Sequence, residues 1–307
     1  MRIAVTGAGG RLGTSLRGEL EGRPFVDAIL AWDIPEHDLD DVTSAGRLVR
    51  RDLPDLVIHA AAWTDVDGCA RQPDLAMRRN GTATGELADA CVGSGASLIV
   101  ISTNEVFDGA RMDGLGYRPD DEPNPINPYG ASKLAGERAA GAAFDSARAG
   151  AGTGAGASAG PRLGIVRTAW LFGPGAADFP AKILAAARRA AAAGEPLRVV
   201  GDEWGTPTYS RDLARAIADL VESGAFGGIH HVVNGLFATR SQWALYVIGR
   251  AQLEVQVQEV PSSTWQRPST PPRWGVLEAT ELPGGPLRVW PDAMAEYAPI
   301  LLARRDA

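Results

Sequence analysis

A doubly wound α/β fold is what this sequence predicts, with a parallel sheet covered on both faces and a smaller C-terminal lobe beside it. Three observations carry the prediction. Short apolar runs alternate with helix-like stretches through the first half. A glycine-rich turn, "VTGAGGRLG", separates the first apolar run from the first helix-like stretch. After residue 167 the texture changes to segments rich in tryptophan and proline.

The elements follow in order. Residues 2–5 read as the first strand and Arg11–Leu20 as the helix after it. Ala28–Trp32 is a second strand and residues 56–60 a third. Residues 81–92 are helical, 98–101 form another buried strand, 127–142 are helical again, and 162–167 close the alternation as a strand. Later come an Ala-rich helix near 176–193, a helix at 211–223 and a strand at 228–234. The division expected is a sheet domain of residues 1–167 plus about 208–234, and a smaller lobe of 168–207 and 235–307 that supplies substrate contacts. The run "AGAAFDSARAGAGTGAGASAG" interrupts the first domain. It has too little apolar bulk to repay ordering, so about 145–160 are expected to be a flexible insertion.

Bulk properties narrow the function. A chain of 307 residues, 45% hydrophobic, has ample material for a large core. A net charge of −7 argues against nucleic-acid or anionic-membrane partners. Two cysteines, Cys69 and Cys91, make neither a disulfide framework nor a metal-ligand set. The first residues enter a strand directly, without a signal peptide, and no run approaches transmembrane length. The expectation is a soluble cytoplasmic protein without a metal.

The glycine turn points to a dinucleotide and to a Rossmann-like sheet. Gly7, Gly10 and Gly13, with Gly9 in addition, suit a tight turn, a close backbone approach to a pyrophosphate, and packing of helix on strand. Arg11 and Leu12 fall inside the same turn, where the helix N-terminus offers free N–H groups to phosphate. Asp33, at the end of the second strand, is either placed to bond the adenosine ribose, which favours NAD, or a simple turn aspartate in "AWDIPEHD". Arg11 could meet a 2′-phosphate instead, so the two cues oppose each other. Asp38 and Leu39 are candidates to lie against the adenine. Ala60, Ala61 and Ala62, in "HAAAW", would let a third backbone pass close to the cofactor; plain tight packing explains them equally well.

Chemistry enters with "PYGASKLAGE". Tyr129 and Lys133 stand one helical turn apart and share a face. A lysine ammonium near the phenol favours phenolate, and the phenol can donate a proton to a carbonyl receiving hydride. Thr103, where a buried strand opens into "STNEVFDG", would hold that carbonyl. Ser102 is its neighbour and points to the other face of the strand. Asn80 is either a helix cap or part of a proton relay.

Five pieces together, "TGAGGRLG", "AAAWTDVDGCA", "ISTNEVFDG", "NPYGASKLAGE" and "VRTAWLFG", resemble the dTDP-4-dehydrorhamnose reductases, a sugar-nucleotide branch of the extended short-chain dehydrogenase/reductases. "DEWGTPTYSRDLA" continues the match, and "RPSTPPRWGVLEATEL" looks like a looser form of the family's C-terminal Arg-Pro segment. The resemblance implies reduction, by NADPH or NADH, of the C4 ketone of a dTDP-4-keto-6-deoxysugar. It implies Thr103, Tyr129 and Lys133 as the catalytic trio, with Tyr129 and Lys133 also against the cofactor, Lys133 on the nicotinamide ribose. Ala60–62 and Thr64 would line the cofactor. Val66, Asp67 and Trp170 would face the sugar, and Thr206, in residues 205–209, and Arg267 would help close the substrate site. A homodimer is compatible with the resemblance.

Two departures stand out. The family usually reads Ser-Thr-Asp-Tyr-Val-Phe where this chain has Asn104 and Glu105 in place of Asp-Tyr. Related 4,6-dehydratases resemble Ser-Thr-Asp-Glu-Val-Tyr, but an asparagine cannot serve as their acid. Glu105 either contacts the sugar and alters which one is accepted, or is a solvated loop acid. Trp204 replaces a usually polar residue and serves either as a pocket wall or as packing. Two other functions stay open at this point: a dinucleotide-binding regulatory subunit without turnover, and an epimerase or dehydratase retaining NAD.

Overall fold

The computed structural model describes residues 1–150 and 160–303. Its centre is a six-stranded parallel sheet. The strands are β1 (Arg2–Thr6), β2 (Ala28–Trp32), β3 (Leu56–His59), β4 (Ser97–Thr103), β5 (Leu163–Thr168) and a sixth, Gly228–His231. In space the sixth strand lies at one edge, followed by β5, β4, β3, β1 and β2. The chain leaves β1 toward β2 on one side and returns to β3 on the other. That reversal opens a crevice at the C-terminal ends of the strands, where ligands bind in such sheets.

Alternation along the strands builds two cores. Ile3 and Val5 enter one face with Leu16, Leu213 and Ile217, under α1 (Arg11–Leu20) and the helix Ser210–Glu222. Ala4, Val57, Leu98 and Val100 enter the other with Leu48, Leu87 and Phe144, under α2 (Ser44–Asp52) and the helices Ala83–Ser94 and Pro128–Gly150. Each such Leu, Ile or Phe contributes roughly 1.5–3 kcal/mol by leaving water.

The C-terminal part has its own aromatic core of Phe172, Tyr209, Trp243, Trp290 and Tyr297. Around it are a parallel strand pair, Leu197–Val200 with Val257–Val260, and a small sheet of Ala238–Thr239, Trp204–Gly205 and Trp274–Gly275. No helix among the described residues is long and apolar enough to cross a membrane.

Several bounds differ from the expected ones. The helix expected at 127–142 runs on to Gly150, since alanines favour helix and Ala140 and Phe144 are buried against the sheet. Ordered helix therefore covers residues 145–150 of the expected insertion; 151–159 lie outside the described residues. The helix expected at 81–92 is part of a longer run from Pro73 to Ser94, with a π-helical segment at Met77–Thr82. The Ala-rich helix begins at Phe179, where Asp178 caps it by accepting from the Ala181 N–H at 2.9 Å.

Candidate functional site

A cleft of about 500 Å³ opens at the C-terminal edge of the sheet. Its cofactor end is built by the glycine turn. Gly7 has φ +62°, and a Cβ there would stand 2.9 Å from the Ala61 Cα. A Cβ on Gly13 would stand 2.1 Å from the Gly7 carbonyl oxygen, so helix and turn pack closer than any side chain allows. Gly10 caps α1 without a side-chain bond, which leaves the first N–H groups of the helix free. Gly7, Gly10, Arg11, Leu12 and Gly13 line the cleft. A bare helix N-terminus against a tight glycine turn fits the diphosphate of a dinucleotide.

The turn is braced from beneath. The Ala61 N–H donates to Thr6 Oγ1 at 3.1 Å, and Thr6 Oγ1 lies 2.8 Å from His59 Nδ1. His59 Nε2 lies 3.2 Å from Thr84 Oγ1, which donates to the Asn80 carbonyl at 2.8 Å. Because the Thr84 hydrogen is committed to that carbonyl, Nε2 carries the imidazole proton and Nδ1 accepts from Thr6. Burial, then the charges of His37 and Lys133, holds His59 well below its ordinary pKa, so it is neutral.

Asn80 is not a helix cap. It sits 1% exposed inside the π-helical segment, a kind of distortion that recurs at functional sites. Its amide accepts from the Trp63 N–H at 2.8 Å and donates to the Trp63 carbonyl at 3.0 Å and to Ser132 Oγ at 3.1 Å. It thus ties the "HAAAW" loop to the helix bearing Tyr129 and Lys133.

Thr103, Tyr129 and Lys133 line the same cleft, and Tyr129 hydrogen-bonds with Thr103. Tyr129 departs from expectation. Burial, then the nearby Glu105 charge, raises its phenol, and only a hydrogen bond with Thr103 opposes this. Lys133, 3% exposed, is itself lowered to about 8 by desolvation, with Glu137 one turn on pulling the other way. Ser102 lines the cleft beside Thr103 and donates to Glu137 Oε1. Glu137 also receives Arg167 at 2.7 Å, and the two side chains are only 4% and 2% exposed.

The remaining wall is largely C-terminal. Thr64, Val66, Asn104, Glu105 and Trp170 also line the cleft, together with Phe179, Arg240 and Trp243. Trp170 has φ +42°, a strained conformation for an aromatic residue. It is held by Gly205, where a Cβ would lie 2.3 Å from the indole, by Trp243 stacked at 5.7 Å, and by Arg240 at 3.6 Å over the ring. Glu105 accepts from Asn127 at 2.7 Å, and burial pushes its carboxyl above the ordinary range despite Asn127, Arg240 and Arg267. It is therefore no solvated loop acid. Asn104 is buried, with Nδ2 against Gly275, where a Cβ would stand 2.4 Å away. Two buried polar atoms of cleft-lining residues, Thr168 Oγ1 and Trp243 Nε1, have no hydrogen-bond partner among the described residues, so a bound molecule could satisfy them.

Other expected residues lie off the cleft lining. Ala61 backs the glycine turn. Asp33 receives the Gly9 N–H at 2.6 Å and the Ile34 N–H at 2.9 Å. Asp38 accepts from the Asp40 N–H at 2.9 Å, and Leu39 is half-buried nearby. Asp67 pairs with Arg267 at 3.4 Å beside the cleft. Thr206 is buried and accepts from the Leu277 N–H at 3.2 Å. Trp204 packs in an aromatic group with Phe237 and Trp274. Arg240 was not foreseen. The only trace in the sequence is the capping pattern Thr239-x-x-Gln242, which starts a helix and sets Arg240 on its first turn.

The RmlD substrate binding domain family model matches residues 1–301. A dTDP-4-dehydrorhamnose reductase of Mycobacterium tuberculosis is 36% identical over 96% of this chain and 91% of its own. A dTDP-4-keto-6-deoxy-D-glucose reductase of Streptomyces niveus is 33% identical over 98% of each. Among solved structures, a dTDP-4-dehydrorhamnose reductase of Bacillus anthracis in complex with NADP superposes with a TM-score of 0.82 at 28% identity, covering 96% of this chain and 98% of that one.

Proposed function

The chain belongs to the RmlD substrate binding domain family, and from that premise we propose that it is an oxidoreductase that reduces the C4 ketone of a dTDP-4-keto-6-deoxysugar with NADPH or NADH. The observation that carries the reading is that Thr103, Tyr129 and Lys133 line one cleft with the glycine turn. Relatives named as reductases of dTDP-sugars support it, as does the relative that holds NADP.

The bound nicotinamide supplies the hydride. Thr103 and Tyr129 hold the sugar carbonyl between two hydroxyls. The Tyr129 phenol, raised by burial, keeps its proton until the carbonyl oxygen gains charge, and then donates it. Lys133 supplies a positive charge beside the resulting phenolate and orients the nicotinamide ribose. Val66, Glu105, Trp170 and Arg240 form the sugar wall, and Glu105, bonded to Asn127, and Arg240, bonded to Glu203, give that wall polar groups with which to select hydroxyl or amino substituents. Asn104 cannot act as an acid, which argues against dehydration. The compartment proposed is the cytoplasm, supported by the free, buried thiols of Cys69 and Cys91.

The test is loss of reduced-nicotinamide absorbance with dTDP-4-keto-6-deoxyglucose, with and without a 3,5-epimerase. Oxidation only with the epimerase assigns a rhamnose-type product. Oxidation without it assigns another deoxysugar and makes Glu105 the first residue to exchange. No oxidation in either arm, with dinucleotide bound, sinks the substrate assignment.

A further inference from the structure

The adenosine end of the dinucleotide site has a pronounced charge pattern. The segment after β2, "DIPEHDLDD", holds Asp33, Glu36, Asp38, Asp40 and Asp41 and no lysine or arginine. Nearby arginines are engaged with its acids: Arg79 with Asp40 at 2.6 Å, Arg47 with Asp41 at 3.3 Å and Arg51 with Glu36 at 3.2 Å. Asp33 and Asp38 have no ion-pair partner among the described residues. His37 adds no cation, being buried and held below its ordinary pKa by desolvation.

Asp33 is fixed in position. One carboxylate oxygen receives the Gly9 N–H at 2.6 Å and the other the Ile34 N–H at 2.9 Å. Each oxygen keeps a further lone pair. The group is thus an acceptor anchored to the turn that would hold the diphosphate, placed at the strand end where ribose hydroxyls are bonded. A ribose hydroxyl can donate to it; a 2′-phosphate can only repel it.

The opposing cue was Arg11, and the structure turns that side chain elsewhere. Its Nε donates to the Gly173 carbonyl at 3.1 Å, its Nη2 donates to the Ala176 carbonyl, and it stands 3.9 Å from Asp178. Reaching a 2′-phosphate would break these bonds.

We propose that this chain selects NADH over NADPH, with Asp33 as the discriminating residue and Arg11 serving as a brace to the 173–178 loop. The proposal rests on the reductase reading only in requiring that a nicotinamide dinucleotide bind. The test is equilibrium titration of the full chain with NADH and with NADPH, by nicotinamide fluorescence, without sugar. NADH is expected to bind at least about tenfold tighter, the scale of a like-charge contact partly exposed to water. Added salt should narrow the gap by improving NADPH binding, because screening weakens repulsion. Asp33→Asn should narrow it as well, with NADH affinity changing less than NADPH affinity. Equal or tighter binding of NADPH by the unaltered chain overturns the proposal, whatever the variant does. Binding of neither dinucleotide overturns the reductase reading and this proposal with it.

Discussion

Tyr129 and Lys133 are held in opposite senses by the same burial. Desolvation disfavours a charge on either, so the phenol is raised and the ammonium lowered. For a reduction this leaves the donor protonated and makes the lysine the group that titrates. In the proposed reaction, turnover should fall as pH rises through about 8, where Lys133 loses its proton. A pH profile of kcat with bound dinucleotide checks this, and a profile flat to pH 10 or so would remove Lys133 from the role. Tyr129→Phe should lower kcat by about 10²–10⁴-fold and leave NADH titration unchanged. A variant of full activity would favour a different donor. These two side chains were legible in the sequence as a helical pair. The direction of the tyrosine shift was not, because it depends first on burial and then on Glu105, and only folding sets either.

At the scale of elements, the strand and helix alternation was readable because apolar period and glycine placement are local. The bounds that slipped were set by tertiary contact. Phe144 packs on the sheet and extends its helix, and Asn80 finds partners in a loop and a facing helix rather than at a helix end. Arg240 escaped notice because its meaning comes from Trp170, seventy residues earlier. The buried ion pair is a contact of the same distant kind. Glu137 on the Tyr129 helix joins Arg167 of β5 and Ser102 of β4, so it fixes that helix against two strands. Glu137→Gln leaves Arg167 without its charge partner in a dry interior. The expected cost is about 3–5 kcal/mol, read as a lower urea midpoint. A loss near zero would mean that water reaches the pair.

Across the whole molecule, the cleft has two owners. One side comes from the glycine turn, α1, residues 60–66, β4 with residues 104–105, and the Tyr129 helix; the other comes from residues 168–179 and 240–243. Arg11 already bonds across it, to the Gly173 carbonyl. A dinucleotide bound there should therefore stabilise both parts together. At a hundredfold excess over Kd the gain is about 2.7 kcal/mol, seen as one upward-shifted thermal transition. Two transitions, with only one moved by the ligand, would show that the halves melt independently.

The hydrogen bonds through His59 have a direction, and the direction has a consequence. They begin at an amide N–H, on Ala61, and end at a carbonyl, on Asn80. Neither terminus exchanges protons readily, so the chain is a wire with both ends tied off: it stiffens the floor and conducts nothing. In the proposed reaction, then, a Tyr129 phenolate left after turnover draws no proton through His59.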